Sequence, residues 1–82
     1  MRNIEYSKIL CKRIQDLQKL NDLTIEQLAY QSGLSKGGLS EIIRGKKEPT
    51  SYTIMKICVG CNISLKEFYD FEELENFVNK FK

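Results

Sequence analysis

The chain has 82 residues and a mass of 9.6 kDa, enough for one domain, because a chain of this size buries only about 60% of the surface its unfolded form exposes and has no room for a second core. Hydrophobic residues make up 41% and charged residues 29%, with one Pro, five Gly and no low-complexity run, a balance that excludes extended disorder. No apolar run approaches a membrane span, and none follows the charged N-terminus, so the expectation is a cytoplasmic protein with no signal peptide and no membrane partner.

Histidine is absent, which removes the usual general base near neutral pH and the commonest metal ligand. Cys58 and Cys61 form a C-x-x-C, but no second pair and no His complete a four-ligand zinc site. No metal or other cofactor is expected, and the three thiols read as reduced packing residues. Without a Gly-rich phosphate loop or a nucleophile beside a base, an enzyme is not expected. No effector domain fits in this length, so no small-molecule ligand is expected either. The net charge is only +2, but residues 1–47 carry nine Lys/Arg against five Asp/Glu and residues 48–82 carry four against six. This basic first half points to an anionic partner.

Leu10, Ile14 and Leu17 recur at helical spacing, predicting a first amphipathic helix over about 6–20 with Lys12, Arg13, Asp16 and Lys19 on its solvent side, stopped at Asn21-Asp22. Thr24 and Gln27 form a capping box, flanked by Leu23 and Leu28 at staple positions, so a second helix starts at Thr24. It breaks at Gly33. Ser35 caps a third helix, Leu34 and Leu39 again forming the staple. Leu39, Ile42 and Ile43 face one way, and Lys36, Gly37, Ser40, Glu41 and Arg44 the other. After Gly45-Lys46-Lys47-Glu48-Pro49, a fourth helix runs from about Ser51 to Gly60 and is capped by Asn62. Ser64 and Glu67, with Ile63 and Phe68, begin a short fifth helix. Residues 71–82 form a last amphipathic stretch whose Phe71, Leu74, Phe77, Val78 and Phe81 stripe must be covered, either by docking on the first helix or by a dimer contact. No segment alternates as a strand does. The chain is expected to be all-α.

The run Leu23-Thr24-Ile25-Glu26-Gln27-Leu28-Ala29-Tyr30-Gln31-Ser32-Gly33-Leu34-Ser35, then Leu39-Ser40-Glu41-Ile42, Gly45-Lys46-Lys47-Glu48-Pro49, Thr53-Ile54-Met55-Lys56-Ile57-Cys58 and Asn62-Ile63-Ser64-Leu65-Lys66-Glu67-Phe68, resembles the Cro/repressor-type helix-turn-helix family. The resemblance spans about residues 13–69 and implies a compact five-helix, lambda-repressor-like domain over 1–70, with the helix-turn-helix near 25–44 and residues 71–82 as a C-terminal helical extension. It further implies a sequence-specific transcriptional regulator, a repressor, that binds a double-stranded DNA operator as a homodimer. The third helix then becomes the recognition helix, with Lys36, Gly37, Ser40 and Glu41 facing bases and Thr24, Gln27, Ser35, Arg44, Lys46 and Lys47 along the backbone.

This chain departs from the family pattern at several places. Ile25 stands where a phosphate-binding Gln is frequent, leaving backbone amides, Thr24 and Gln27 for that contact. Gly37 and Gly38 cost up to about 1 kcal/mol each in helix propensity, so direct readout is expected to be sparse. Gln18 and Ile43 replace a common buried Arg–Glu pair and are read as an apolar substitution. By the same resemblance Cys58 and Cys61 fall at core positions, while Cys11 is expected to be partly exposed. A second reading makes the chain a protein-interaction module, such as an antitoxin or mobile-element accessory protein, whose aromatic tail contacts the partner.

Overall fold

Four side-chain hydroxyls, on Thr24, Ser35, Thr50 and Ser64, each accept a hydrogen bond from the backbone amide three residues on, and these caps set where most of the helices begin. The computed structural model describes residues 4–82, which form six helices and no strand. These are α1 (Ile4–Leu20), α2 (Ile25–Ser32), α3 (Lys36–Ile43), α4 (Ser51–Cys61), α5 (Leu65–Tyr69) and α6 (Glu72–Asn79). In both capping boxes the bond is reciprocal. Thr24 Oγ1 accepts from the Gln27 amide at 3.1 Å and Gln27 Oε1 from the Thr24 amide at 2.9 Å; Ser64 and Glu67 repeat the pattern at 3.0 and 3.3 Å.

One apolar cluster unites the first five helices: Leu10, Ile14 and Leu17 of α1, Leu28 and Ala29 of α2, Leu39 and Ile42 of α3, Ile54, Ile57, Cys58 and Cys61 of α4, and Phe68 of α5. Each large side chain in it contributes about 1.5–3 kcal/mol by leaving water. Closeness matters as much as apolarity where α2 meets α4. A Cβ on Gly60 would lie 2.1 Å from Ser32 Oγ and 3.0 Å from the Ser32 backbone nitrogen, so only glycine lets the two helices approach this far.

Several α1 side chains act across the fold. Arg13, expected among the solvent-side charges, is instead half-buried. Its Nε donates to Phe68 O at 2.9 Å and its Nη2 to Glu67 O at 2.7 Å, while the guanidinium lies 5.0 Å from the Phe71 ring centre. These bonds cap the C-terminus of the five-residue α5, where Glu67 O also accepts from the Asp70 amide at 3.3 Å. Gln18 is not an apolar replacement: its Nε2 donates to Leu23 O at 2.9 Å, and the neighbouring Gln15 Nε2 donates to Ile43 O. Cys11 is buried and not partly exposed; its Sγ lies 3.8 Å from Lys47 O as a weak donor.

Helix α6 packs on α1. Leu74 and Phe77 are buried, Phe77 meets the Tyr6 ring at 5.7 Å, and Lys80 pairs with Glu5 at 2.6 Å. The expected stripe therefore divides. Phe71 is half-buried under Arg13, whereas Val78 and Phe81 remain 37% and 73% exposed.

Candidate nucleic-acid interface

The angle between α2 and α3 is set by a three-residue break. Gly33 takes φ 67°, ψ 33°, a conformation in which a side chain would be strained, and the Leu34 amide donates back to Ala29 O at 2.8 Å. Lys56 of α4 secures this turn from behind, its Nζ donating to Gly33 O at 3.0 Å and lying 5.0 Å from the Tyr52 ring centre. A cation on the last carbonyls of α2 complements that helix's negative end. The turn is thereby fixed to the core on one side and open on the other.

Ser35 Oγ then accepts from the Gly38 amide at 3.1 Å to start α3. Leu39 and Ile42 point into the core. On the outer side Lys36, Gly37, Glu41 and Arg44 are exposed, with Ser40 half-buried. The two adjacent glycines have different surroundings: a Cβ at Gly38 would come within 2.9 Å of Ser35 Oγ, while one at Gly37 would meet nothing within 4 Å. Gly38 thus makes room for the cap, and Gly37 leaves the helix backbone bare on its outer face.

Beyond α3 the Lys46 amide bonds to Glu41 O at 2.9 Å, closing the helix and turning Lys46 and Lys47 outward, where both are exposed. Gln15 at Ile43 O and Cys11 at Lys47 O hold this loop to α1. Among the described residues no carboxylate lies within ion-pair distance of Arg44, Lys46 or Lys47, so three cations stand uncompensated along one edge of α3. Thr24 and Gln27 are exposed at the start of α2; their oxygens are used in the capping box, which leaves the Thr24 hydroxyl proton and the Gln27 side-chain amide as donors.

Lys36 is the exception among these cations. Its Nζ lies 2.8 Å from Glu26 Oε1, and the hydrogen bond first, then the charge of Lys36, hold the Glu26 carboxyl below the usual carboxylate range. Neither Glu26 nor Lys56 is marked for this surface by the sequence pattern. No local sequence pattern links residues 10 and 23 positions apart across a turn.

The exposed face has the chemistry of a phosphate and base-edge reader: donors at a helix N-terminus, two unpaired lysines and an arginine, and one acceptor, Glu41. The family model described as Helix-turn-helix matches residues 14–68, two thirds of the chain. The chain belongs to the Cro/repressor-type helix-turn-helix family of DNA-binding transcriptional regulators. It is also similar to a crystal structure of a point mutant of the restriction-modification controller protein C.Esp1396I, at 26% identity and a TM-score of 0.78 over the whole of both chains. Among curated proteins none matches it. In this helix-turn-helix chain the C-x-x-C lies inside the α4 core, and burial pushes both the Cys58 and Cys61 thiols up, away from the reactive thiolate. Among the described residues no group of three or more His, Cys, Asp or Glu gathers as a metal site, and no helix is long and apolar enough to cross a membrane.

Proposed function

We propose that this regulator binds a roughly two-fold symmetric operator as a homodimer and represses transcription from it, with α3 in the major groove of each half-site. The observation that carries the reading is the outward face of α3, where Lys36, Gly37, Ser40 and Glu41 lie side by side on a helix of two turns. Lysine donates to guanine N7 and O6, and a glutamate accepts from a cytosine amino group. The bare backbone at Gly37 permits the close approach that sparse side-chain readout requires. Arg44, Lys46 and Lys47 supply affinity for phosphates without sequence information, with Thr24, Gln27 and Ser35 at the helix N-termini as backbone contacts.

Two-fold pairing agrees with the exposed Val59, Leu65, Val78 and Phe81, which the single chain leaves uncovered, and places the two copies of α3 about 34 Å apart. Residues 1–70 act as the DNA-binding domain and 71–82 as its docked extension. The likeness to a restriction-modification controller protein over the whole of both chains supports a regulatory role for this unit. A tail that captures another protein is less favoured, because Leu74 and Phe77 are taken up by the chain's own core.

Lys36→Ala combined with Glu41→Ala tests the assignment. Each lost base contact is worth about 1–3 kcal/mol of discrimination, so the double variant should bind an operator and an unrelated duplex within about tenfold of each other, in competition titrations at fixed salt. Unchanged protection of the same operator would show that α3 does not read the sequence.

A further inference from the structure

Glu26 belongs to the first turn of α2 and Lys36 is the first residue of α3, so their 2.8 Å pair spans the notch between the two helix N-termini that face the DNA. The two charges have opposite relations to their own helices. A carboxylate in the first turn of α2 is favoured by that helix's positive end, whereas an ammonium at the start of α3 is opposed by its own. No acidic residue occurs in the first turn of α3. Glu26 supplies the missing negative charge from the neighbouring helix.

Fold stability does not explain the contact, because its side chains are 64% and 70% exposed and exposed pairs contribute little to folding. Its effect lies in where Lys36 can go. An unrestrained lysine is a compact charge on a flexible four-carbon stem and settles on whichever phosphate is nearest. Held by Glu26, the ammonium stays at the α2 side of the α3 face, beside Gly37, with its charge already balanced.

We propose that Glu26 is a positioning residue for selectivity: by pairing with Lys36 it keeps that lysine on the base-facing front of α3 and withholds it from the phosphates of unrelated DNA. The inference rests on the DNA-binding reading above. Each released Lys36 adds one phosphate contact, so the two in a homodimer raise the salt slope by about 1.8 and the affinity for a random duplex about 25-fold at ~0.15 M salt. The arrangement therefore lowers binding to the wrong sequence more than to the right one.

The test is a cycle of wild type, Glu26→Gln, Lys36→Gln and the double variant of the full chain, titrated against a duplex carrying a site selected from random sequence and against an unrelated duplex, from 50 to 300 mM KCl. Glu26→Gln should bind the unrelated duplex about 25-fold more tightly at ~0.15 M salt with a steeper salt slope, lowering the selectivity ratio, and the same change made on Lys36→Gln should leave slope and ratio nearly unaltered. An equal gain in both backgrounds would mean that Glu26 only repels phosphates, and no gain in either would mean that the pair does not restrain Lys36; both overturn the inference while leaving DNA binding intact. A wild-type chain that binds neither duplex at 50 mM KCl overturns the DNA-binding reading itself, and the inference with it.

Discussion

Replacing Arg44, Lys46 and Lys47 together by Ala removes six phosphate contacts from the homodimer and is expected to weaken binding to any duplex about ten-thousandfold at ~0.15 M salt, and to lower the slope of log K against log salt by about 5.4. The magnitude follows from counterion release. Each phosphate contact contributes about 0.9 to the slope and roughly fivefold in affinity at that salt, and the three side chains are exposed with no carboxylate partner among the described residues. Because none of them touches the core, the thermal midpoint should change by no more than a few degrees. The selectivity ratio should also persist, since Lys36 and Glu41 remain. Salt-dependent anisotropy titrations on specific and unrelated duplexes give all of these quantities. A triple variant with an unaltered slope would remove the basic edge of α3 from the interface.

Phe68→Ala is expected to destabilise the fold by about 3–5 kcal/mol, the range for deleting a buried aromatic ring. Phe68 is fully buried, meets Tyr69 edge-on at 5.1 Å, and offers its carbonyl to Arg13. Its loss thus opens a cavity and loosens the strap between α1 and α5. A chain of this length has roughly 4–12 kcal/mol of total stability. The variant should therefore be substantially unfolded near body temperature, or melt at least about 12 °C lower, by circular dichroism. Phe81→Ala makes a suitable comparison: Phe81 is 73% exposed and meets Phe77 edge-on at 5.2 Å, so its removal should change the stability of the monomer by no more than about 1.5 kcal/mol. Equal effects at the two positions would contradict the packing described for α5.

The parts of this fold that are legible in the sequence are those decided within a few residues. Thr24 with Gln27, Ser64 with Glu67, the staples around each cap, Gly33 and Asn62 all act over one turn of chain, and each takes the conformation its local pattern predicts. Thr50 caps α4, but Ser51 beside it has the same chemistry, so the local pattern does not choose between them. Contacts set by tertiary structure left no such signal. Arg13 reads as one of several solvent-side charges on α1 until α5, more than 50 residues away, brings two carbonyls to it. Cys11 reads as half-exposed until the Gly45–Pro49 loop covers it, and Gln18 as an apolar substitute until the carbonyl of Leu23 meets its amide.

The candidate interface divides the same way. The outward set on α3 follows from helical period and the Ser35 cap, which put Lys36, Gly37, Ser40, Glu41 and Arg44 on one side. What Lys36 touches does not follow from that period. Its partner Glu26 is ten residues distant across a left-handed turn, and only the crossing of α2 and α3 brings the two together. The close approach of Gly60 to Ser32 is of the same kind, since glycine in a helix is a poor residue by propensity and becomes required only when a second backbone lies against it.

The most direct measurement is selection of bound sequences from random duplex DNA with the full chain, followed by titration of the enriched site across salt. The expected result is an enriched, two-fold symmetric site whose half-sites lie about one helical turn apart, bound at least about a thousandfold more tightly than unrelated DNA, with a linear fall of log K against log salt. Recovery of no enriched sequence at low salt, or of binding with no preference and no salt dependence, would contradict the assignment of α3 as the reader of an operator.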